Sequence, residues 1–239
     1  MMMTKQVMET TFGGVVCYIG YWPSDETLPA LKVVYVQRHY ADPDGNYRQP
    51  RHINFRAVAL ALQNLNCEAV VGIYSVGSMT QTVDVGRLVV PEDFFNPFDI
   101  LHVSTNYDAH VVPEIDATLK AAVLKALQSG GFDPHDGGVY VQTAGPRLET
   151  KSEVRFFAQF GQFIGMTGAN EAELLNELRV PFSMFLIVDN MANGLGNPLT
   201  LDAFKVTQKA NASLVERAFA HVLHEFIIHN TLASLPITS

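Results

Sequence analysis

Two short stretches of the chain carry almost no polar positions: AVVGIYS at 69–75 and FSMFLIV at 182–188. Runs this apolar and this short predict strands buried on both faces. Lys32–Gln37 (KVVYVQ), Arg87–Pro91, Gly138–Gln142 and Phe163–Met166 read as further strands, rich in β-branched and aromatic residues. Between them the apolar spacing changes to that of helices. Phe55, Val58, Ala59, Leu62 and Leu65 fall on one face of a helix over Ile53–Leu65. Further helices are predicted over Ile115–Leu127, stopped by Gly130-Gly131, and over Lys151–Phe160, Asn170–Leu178 and Leu201–His229.

Strands alternating with helices predict an α/β fold: a mixed, mostly parallel twisted sheet flanked by helices. No repeat, low-complexity run or linker divides the chain, so residues 1–239 read as a single domain. The segment Pro91–Pro113 (PEDFFNPFDILHVSTNYDAHVVP) fits no helix or strand pattern beyond its first residue. It reads as a long aromatic loop, a type that is often functional.

With 239 residues, 48% of them hydrophobic, the chain can bury a sizeable core. A net charge of −8 and the lack of a basic run argue against a nucleic-acid partner. Cys17 and Cys67 are too few for a disulfide framework or a metal site, so no metal or cofactor is expected and a reducing cytoplasm is the simplest compartment. No apolar run of about 18 residues suggests a membrane span, and Met1–Lys5 opens no signal core.

In open α/β sheets ligands lie at the carboxyl ends of strands. Five such ends are polar or built from small residues here: Arg38-His39, Tyr74–Ser78, Gly145–Thr150, Met166–Gly168 and Asp189-Asn190. Each has an ordinary reading, as a surface pair, a small-residue turn, a helix cap, a core methionine or a turn after a buried strand. Together they suggest an anion beside a heterocycle. Arginine offers a planar fork of donors, small-residue turns offer backbone N–H groups, and a carboxylate with a carboxamide can read the edge of a base. No phosphate loop, dinucleotide fingerprint or metal-ligand spacing accompanies them.

GPRLET (145–150), GMTGANEAELLNEL (165–178) and a strand ending in Asn190 resemble the purine nucleoside phosphorylase and methylthioadenosine phosphorylase family. Arg38-His39, INFRA (53–57) and GIYSVGS (72–78) match it more loosely. The GPRLET and GMTG forms are most similar to methylthioinosine phosphorylases and related 6-oxopurine enzymes. The resemblance implies cleavage of a purine nucleoside by inorganic phosphate as co-substrate, in a homotrimer with active sites near subunit interfaces. It implies that Arg38, His39, Ser75 (through its backbone) and Thr167 bind phosphate and that Met166 lies along the ribose. Glu149 and Asn190 would hold the purine, with Phe163 or a residue beside it on the ring. Asn190 in place of Asp implies a 6-oxopurine, because an amide donates without needing a proton. His110 could reach a 5′-hydroxyl from the Pro91–Pro113 segment.

The chain also departs from the family pattern. ETTFGG (9–14) resembles the segment on the C-terminal side of a Gly-Thr-Gly phosphate loop, so that loop is expected to be missing and phosphate to bind weakly. Tyr74 stands where Asn is common, and Tyr40–Gln49 is longer and more acidic than expected. Asp189 replaces a Thr or an apolar residue, and is expected either beside the anion or turned toward Arg147. These departures leave two alternatives, a hydrolase on the same fold, with water in place of phosphate, and a non-catalytic nucleoside-binding member; a methylthioadenosine phosphorylase is a third.

Overall fold

The computed structural model describes residues 2–22 and 30–234. Its centre is the pair of apolar runs. Strand β4 (Val70–Ser78) lies parallel to β10 (Phe182–Met191), with Phe182 opposite Val70 and Leu186 opposite Tyr74. They belong to a seven-stranded mixed sheet that also contains β5 (Leu88–Val90), β6 (Asp93–Phe95), β7 (His135–Asp136), β8 (Val139–Gln142) and β9 (Phe163–Gly165). The order is β6-β8-β9-β4-β10-β5-β7, with antiparallel contacts only at β4–β9 and β5–β10.

Alternation along β10 explains its composition. Met184, Leu186 and Val188 join one core cluster with Phe55, Val58 and Leu62 of α1 (Phe55–Asn64). Phe185 and Ile187 face the other way. They pack on Leu119, Val123 and Leu127 of α2 (Ala117–Ser129) and on Ala218, Val222 and Phe226 of α5 (Leu201–Ile228). A third cluster joins α3 (Lys151–Phe157) to Val141 and Ile164 through Val154 and Phe157.

A separate three-stranded antiparallel sheet, β1 (Met3–Thr10), β2 (Gly13–Trp22) and β3 (Leu31–Tyr35), packs on α1 and on the first cluster through Val15 and Cys17. The apolar pattern predicts only the third of these strands. No helix among the described residues is long and apolar enough to cross a membrane.

Helix α4 (Gly168–Glu177) is buried from Gly168 through Leu175, although Asn170, Glu171 and Glu173 lie in that stretch. Buried polar groups need partners, and each has one. Glu171 meets Arg38. The others hold the long segment after β6. The Asn170 amide donates to Asp99 O (3.0 Å), and the Glu173 carboxyl accepts from Asn96 Nδ2 (2.9 Å) and Leu101 N (3.4 Å). One turn further on, Glu177 accepts from the backbone N–H groups of Val103 and Ser104, and Asn176 bonds both backbone groups of Glu114. The expected loop is therefore ordered along a polar stripe at helical spacing.

Candidate active site

The base-side turn follows β8. Gly145 has φ +57°, and a Cβ there would come within 2.4 Å of Met166 Sδ, so glycine is what lets Met166 lie against the turn. Thr150 then caps α3 in a reciprocal box with Glu153. Arg147 pairs with that same Glu153 (2.7 Å), whose carboxyl it holds down near about 2. Glu149 points inward and is buried. Its carboxylate accepts from Thr143 Oγ1 (2.6 Å), while its carbonyl accepts from Asn193 Nδ2 (2.9 Å). Asn193 lies three residues beyond Asn190, so the end of β10 is tied directly to the Glu149 turn. The Asn190 side chain packs over Gly77 and donates to Met191 O (2.9 Å).

The anion-side residues gather around Arg38, in a short 3-10 turn after β3. Arg38 Nε and Nη2 contact the two carboxylate oxygens of Glu171 at 2.6 and 3.2 Å, and Nη1 donates to Ile73 O at 3.2 Å. The guanidinium lies 4.5 Å from the centre of the Tyr74 ring, whose hydroxyl donates to the same Glu171 carboxylate. Burial alone would lower the Arg38 pKa; the adjacent Glu171 carboxylate outweighs it and holds the guanidinium charged. Burial first, and then Glu171, push the Tyr74 hydroxyl well above its ordinary value, so it stays a donor.

Tyr140 completes this cluster. Its hydroxyl accepts from Thr167 N (3.1 Å) and Gly168 N (3.0 Å), and Gln142 Oε1 accepts from Ala169 N (2.9 Å). Tyr140 and Gln142 alternate onto one face of β8, so two strand side chains do the work of a helix cap where Thr167 makes none with its own side chain. Burial raises the Tyr140 pKa to about 12. The result is a fixed GMTG segment, with Met166 against the Gly145 turn and the Thr167 N–H held by Tyr140.

Several expected placements differ. Phe163 is fully buried in the core, edge-on to His135 at 6.0 Å, so its ring is not offered to a base. His39 turns its Nδ1 to Arg48 O (2.8 Å) and stacks on Tyr47; burial lowers its pKa, which keeps it neutral near pH 7. The Ser75 hydroxyl donates to Asp189, leaving only its backbone for a ligand. Asp189 does not turn to Arg147, whose partner is Glu153. It is buried at an irregularity in the β4–β10 pairing and also accepts from Asn211 Nδ2 of α5 (2.7 Å). His110 is an exposed loop residue stacked on Tyr107. A cavity of about 330 Å³ lined by Thr82, Asp84, Arg87 and His135 shares no residue with either cluster.

Tyr140, Thr143, Asn193 and Asn211 bond Thr167, Glu149 and Asp189, and motif reading does not reach them. Only Tyr140 leaves a trace in the sequence, as a polar-tipped residue in register with Gln142 on a strand that leads into GPRLET.

The Phosphorylase superfamily profile matches residues 34–227. A probable 6-oxopurine nucleoside phosphorylase of Archaeoglobus fulgidus is 30% identical over 92% of this chain and 89% of its own length. A probable S-methyl-5′-thioinosine phosphorylase of Methanocaldococcus jannaschii is 35% identical over 74% of this chain and 71% of its own. Among solved structures, a methylthioadenosine phosphorylase from an antarctic soil metagenomic library shares the fold with a TM-score of 0.77, covering 98% of this chain and 84% of its own at 18% identity. With more than half of its length matched by the family profile and two clusters standing at the expected strand ends, the chain belongs to the phosphorylase superfamily.

Proposed function

We propose that the protein cleaves the N-glycosidic bond of a 6-oxopurine nucleoside, such as 5′-methylthioinosine, by phosphorolysis to the free base and a sugar 1-phosphate. The observation that carries this reading is the base side. The Glu149 carboxylate is fixed by Thr143 at Oε1, and Oε2 takes no hydrogen bond among the described residues. It is suited to accept from N1–H of a 6-oxopurine. The Asn190 carboxamide, tied through Asn193 to the same turn, supplies an N–H for N7 and so stabilises negative charge on the departing base. The sugar passes through a cation-like state along Met166. Phosphate held by Arg38 and the Ser75 and Thr167 region attacks C1′, with no covalent enzyme intermediate. The relatives' names, 6-oxopurine nucleoside and S-methyl-5′-thioinosine phosphorylase, favour the same substrates.

The family resemblance points to a homotrimer as the working form, and one surface feature supports contact between copies. Phe95 and Phe160 stack at 4.7 Å, and Phe98, Phe156 and Phe160 are exposed around them. An aromatic patch of this kind marks a contact surface. The free thiols Cys17 and Cys67 suit a reducing cytoplasm.

One observation favours hydrolysis as a second reading: Arg38 already holds a carboxylate and His39 is neutral, so the anion side carries no net positive charge from these groups. The deciding experiment supplies inosine, methylthioinosine, methylthioadenosine and adenosine with phosphate from zero to high concentration. A sugar 1-phosphate that grows with phosphate, formed fastest from a 6-oxopurine nucleoside, is the expected result. Free sugar at a rate indifferent to phosphate means hydrolysis, and faster cleavage of methylthioadenosine overturns the 6-oxopurine assignment.

A further inference from the structure

Arg38 has five N–H donors. Three are committed, two to the Glu171 carboxylate and one to Ile73 O. The pair is largely buried, with side-chain exposures of 18% and 10%. Glu171 presents to the guanidinium the same two-oxygen fork that a phosphate presents. Tyr74 reinforces that arrangement by lying under Arg38 and donating its hydroxyl to Glu171. We propose that Glu171 is a specificity-determining residue for the anion: it is the counter-ion that Arg38 keeps, and its charge sets how tightly inorganic phosphate binds. This inference rests on the phosphorolytic reading of the Arg38 side of the site.

Glu171 acts on an incoming anion in two opposing ways. By holding Arg38 still it lowers the ordering cost of binding, which helps the anion. By its charge it repels the anion and neutralises the group that attracts it. Two unit charges on adjacent edges of one guanidinium stand about 6 Å apart, and at an effective dielectric constant of about 20 their repulsion corresponds to roughly a hundredfold in binding constant. The holding effect is smaller, because Arg38 keeps the Ile73 carbonyl and the Tyr74 ring when the charge on residue 171 is removed. A glutamine there also keeps the shape of the side chain and one acceptor oxygen. The charge effect therefore decides the sign.

The test is calorimetric titration of inorganic phosphate into the full-length protein without nucleoside, for wild type, E171Q and R38M/E171Q. E171Q is expected to bind phosphate at least about tenfold more tightly than wild type, and the double variant, which leaves no buried charge unpaired, to lose that gain. In turnover, the phosphate KM of E171Q should fall while the nucleoside KM stays within about twofold. Phosphate binding by E171Q that is unchanged or weaker than wild type overturns the proposal. Should E171Q fail to fold, Y74F keeps both charges and removes one donor from Glu171. It is expected to tighten the Glu171–Arg38 pair and weaken phosphate binding about threefold, and equal or tighter binding by Y74F counts against the proposal. The two readings fail separately. Phosphate-independent release of free sugar by wild type sinks phosphorolysis, whereas the titrations report on Glu171 without any turnover.

Discussion

The two halves of the site are built on opposite plans. On the base side each recognition group is fixed at one end and open at the other: Thr143 holds one oxygen of Glu149, and Met191 O takes one N–H of Asn190. On the anion side the obvious donors are spent inside the protein. Arg38 and Tyr74 converge on Glu171, the Ser75 hydroxyl goes to Asp189, and Thr167 N goes to Tyr140. A neutral heterocycle can be recognised by groups that wait half-satisfied. A buried cation cannot wait unpaired, because an uncompensated buried charge is strongly destabilising, so Arg38 keeps Glu171 as an internal partner.

The sharpest way to break this contrast is to compare E149A with S75A. Loss of Glu149 leaves the Thr143 hydroxyl only its longer bond to Gly165 O (3.4 Å) and removes the proposed acceptor for N1–H, and hydrogen bonds to charged groups contribute about 1.5–3 kcal/mol. E149A should lose about a hundredfold or more in kcat/KM on a 6-oxopurine nucleoside, and S75A less than about fivefold, since its hydroxyl is already given to Asp189. Comparable losses in the two would erase the distinction. A smaller expected effect is a change of base preference: N190D should shift the ratio of kcat/KM values from 6-oxopurine toward 6-aminopurine nucleosides by about ten- to a hundredfold. A ratio that does not move would mean that the base is read elsewhere.

Tyr140 connects the halves, and Y140F tests the connection. It leaves the N–H groups of Thr167 and Gly168 without their acceptor, at a cost of about 1–3 kcal/mol. That amounts to a fall in Tm of several degrees for a chain of this size. An unchanged Tm would show that α4 is held without it.

The smallest effect belongs to Glu173, outside both halves. Burial pushes its carboxyl up to about 7, against the Asn96 and Leu101 donors that pull it down. A carboxyl raised in the fold favours the protonated state, so its contribution is complete below the unfolded value near 4.5 and is lost as pH rises through 7. E173Q should therefore be more stable than wild type by about 1 kcal/mol at pH 8, with the gain fading to nothing by about pH 4.5. Thermal unfolding at several pH values measures it, and a gain independent of pH would remove titration as its cause.

How much of this could be read from the sequence depends on where the cause lies. β4 and β10 were legible because burial on both faces writes a continuous apolar run. β1 was not: Lys5 and Glu9 interrupt it in a small outer sheet with much of its surface exposed, whereas β2 carries an apolar run, at 15–22, that local pattern alone could mark as a strand. β6 and β7 are three and two residues long and exist by pairing with β8 and β5, which no local pattern records. Glu149 and Asn190 were visible because a motif carries them. The wiring of the anion side was not, since Arg38 and Glu171 are 133 residues apart in sequence and Tyr74 and Glu171 are 97 apart. Phe163 was misjudged because sequence proximity to Met166 says nothing about which face of a three-residue strand a ring takes.

The stripe on α4 has a consequence for how this protein can change over evolutionary time. Most of what Asn170, Glu173, Asn176 and Glu177 grip in the segment from Asn96 to Glu114 is main chain, as is the His102 carbonyl that Arg56 Nε reaches at 2.7 Å. Apart from the Asn96 amide, the Phe98 ring edge-on to Phe157, and the Leu101 and Val103 side chains that pack on the core, the anchoring does not depend on which residues the segment carries. Substitutions at its exposed positions, such as Tyr107, His110 and Val112, can accumulate without releasing it. The fold thus separates the heritable means of holding this stretch from its chemical content, and new side chains can be tried there while the chain beneath them keeps its path.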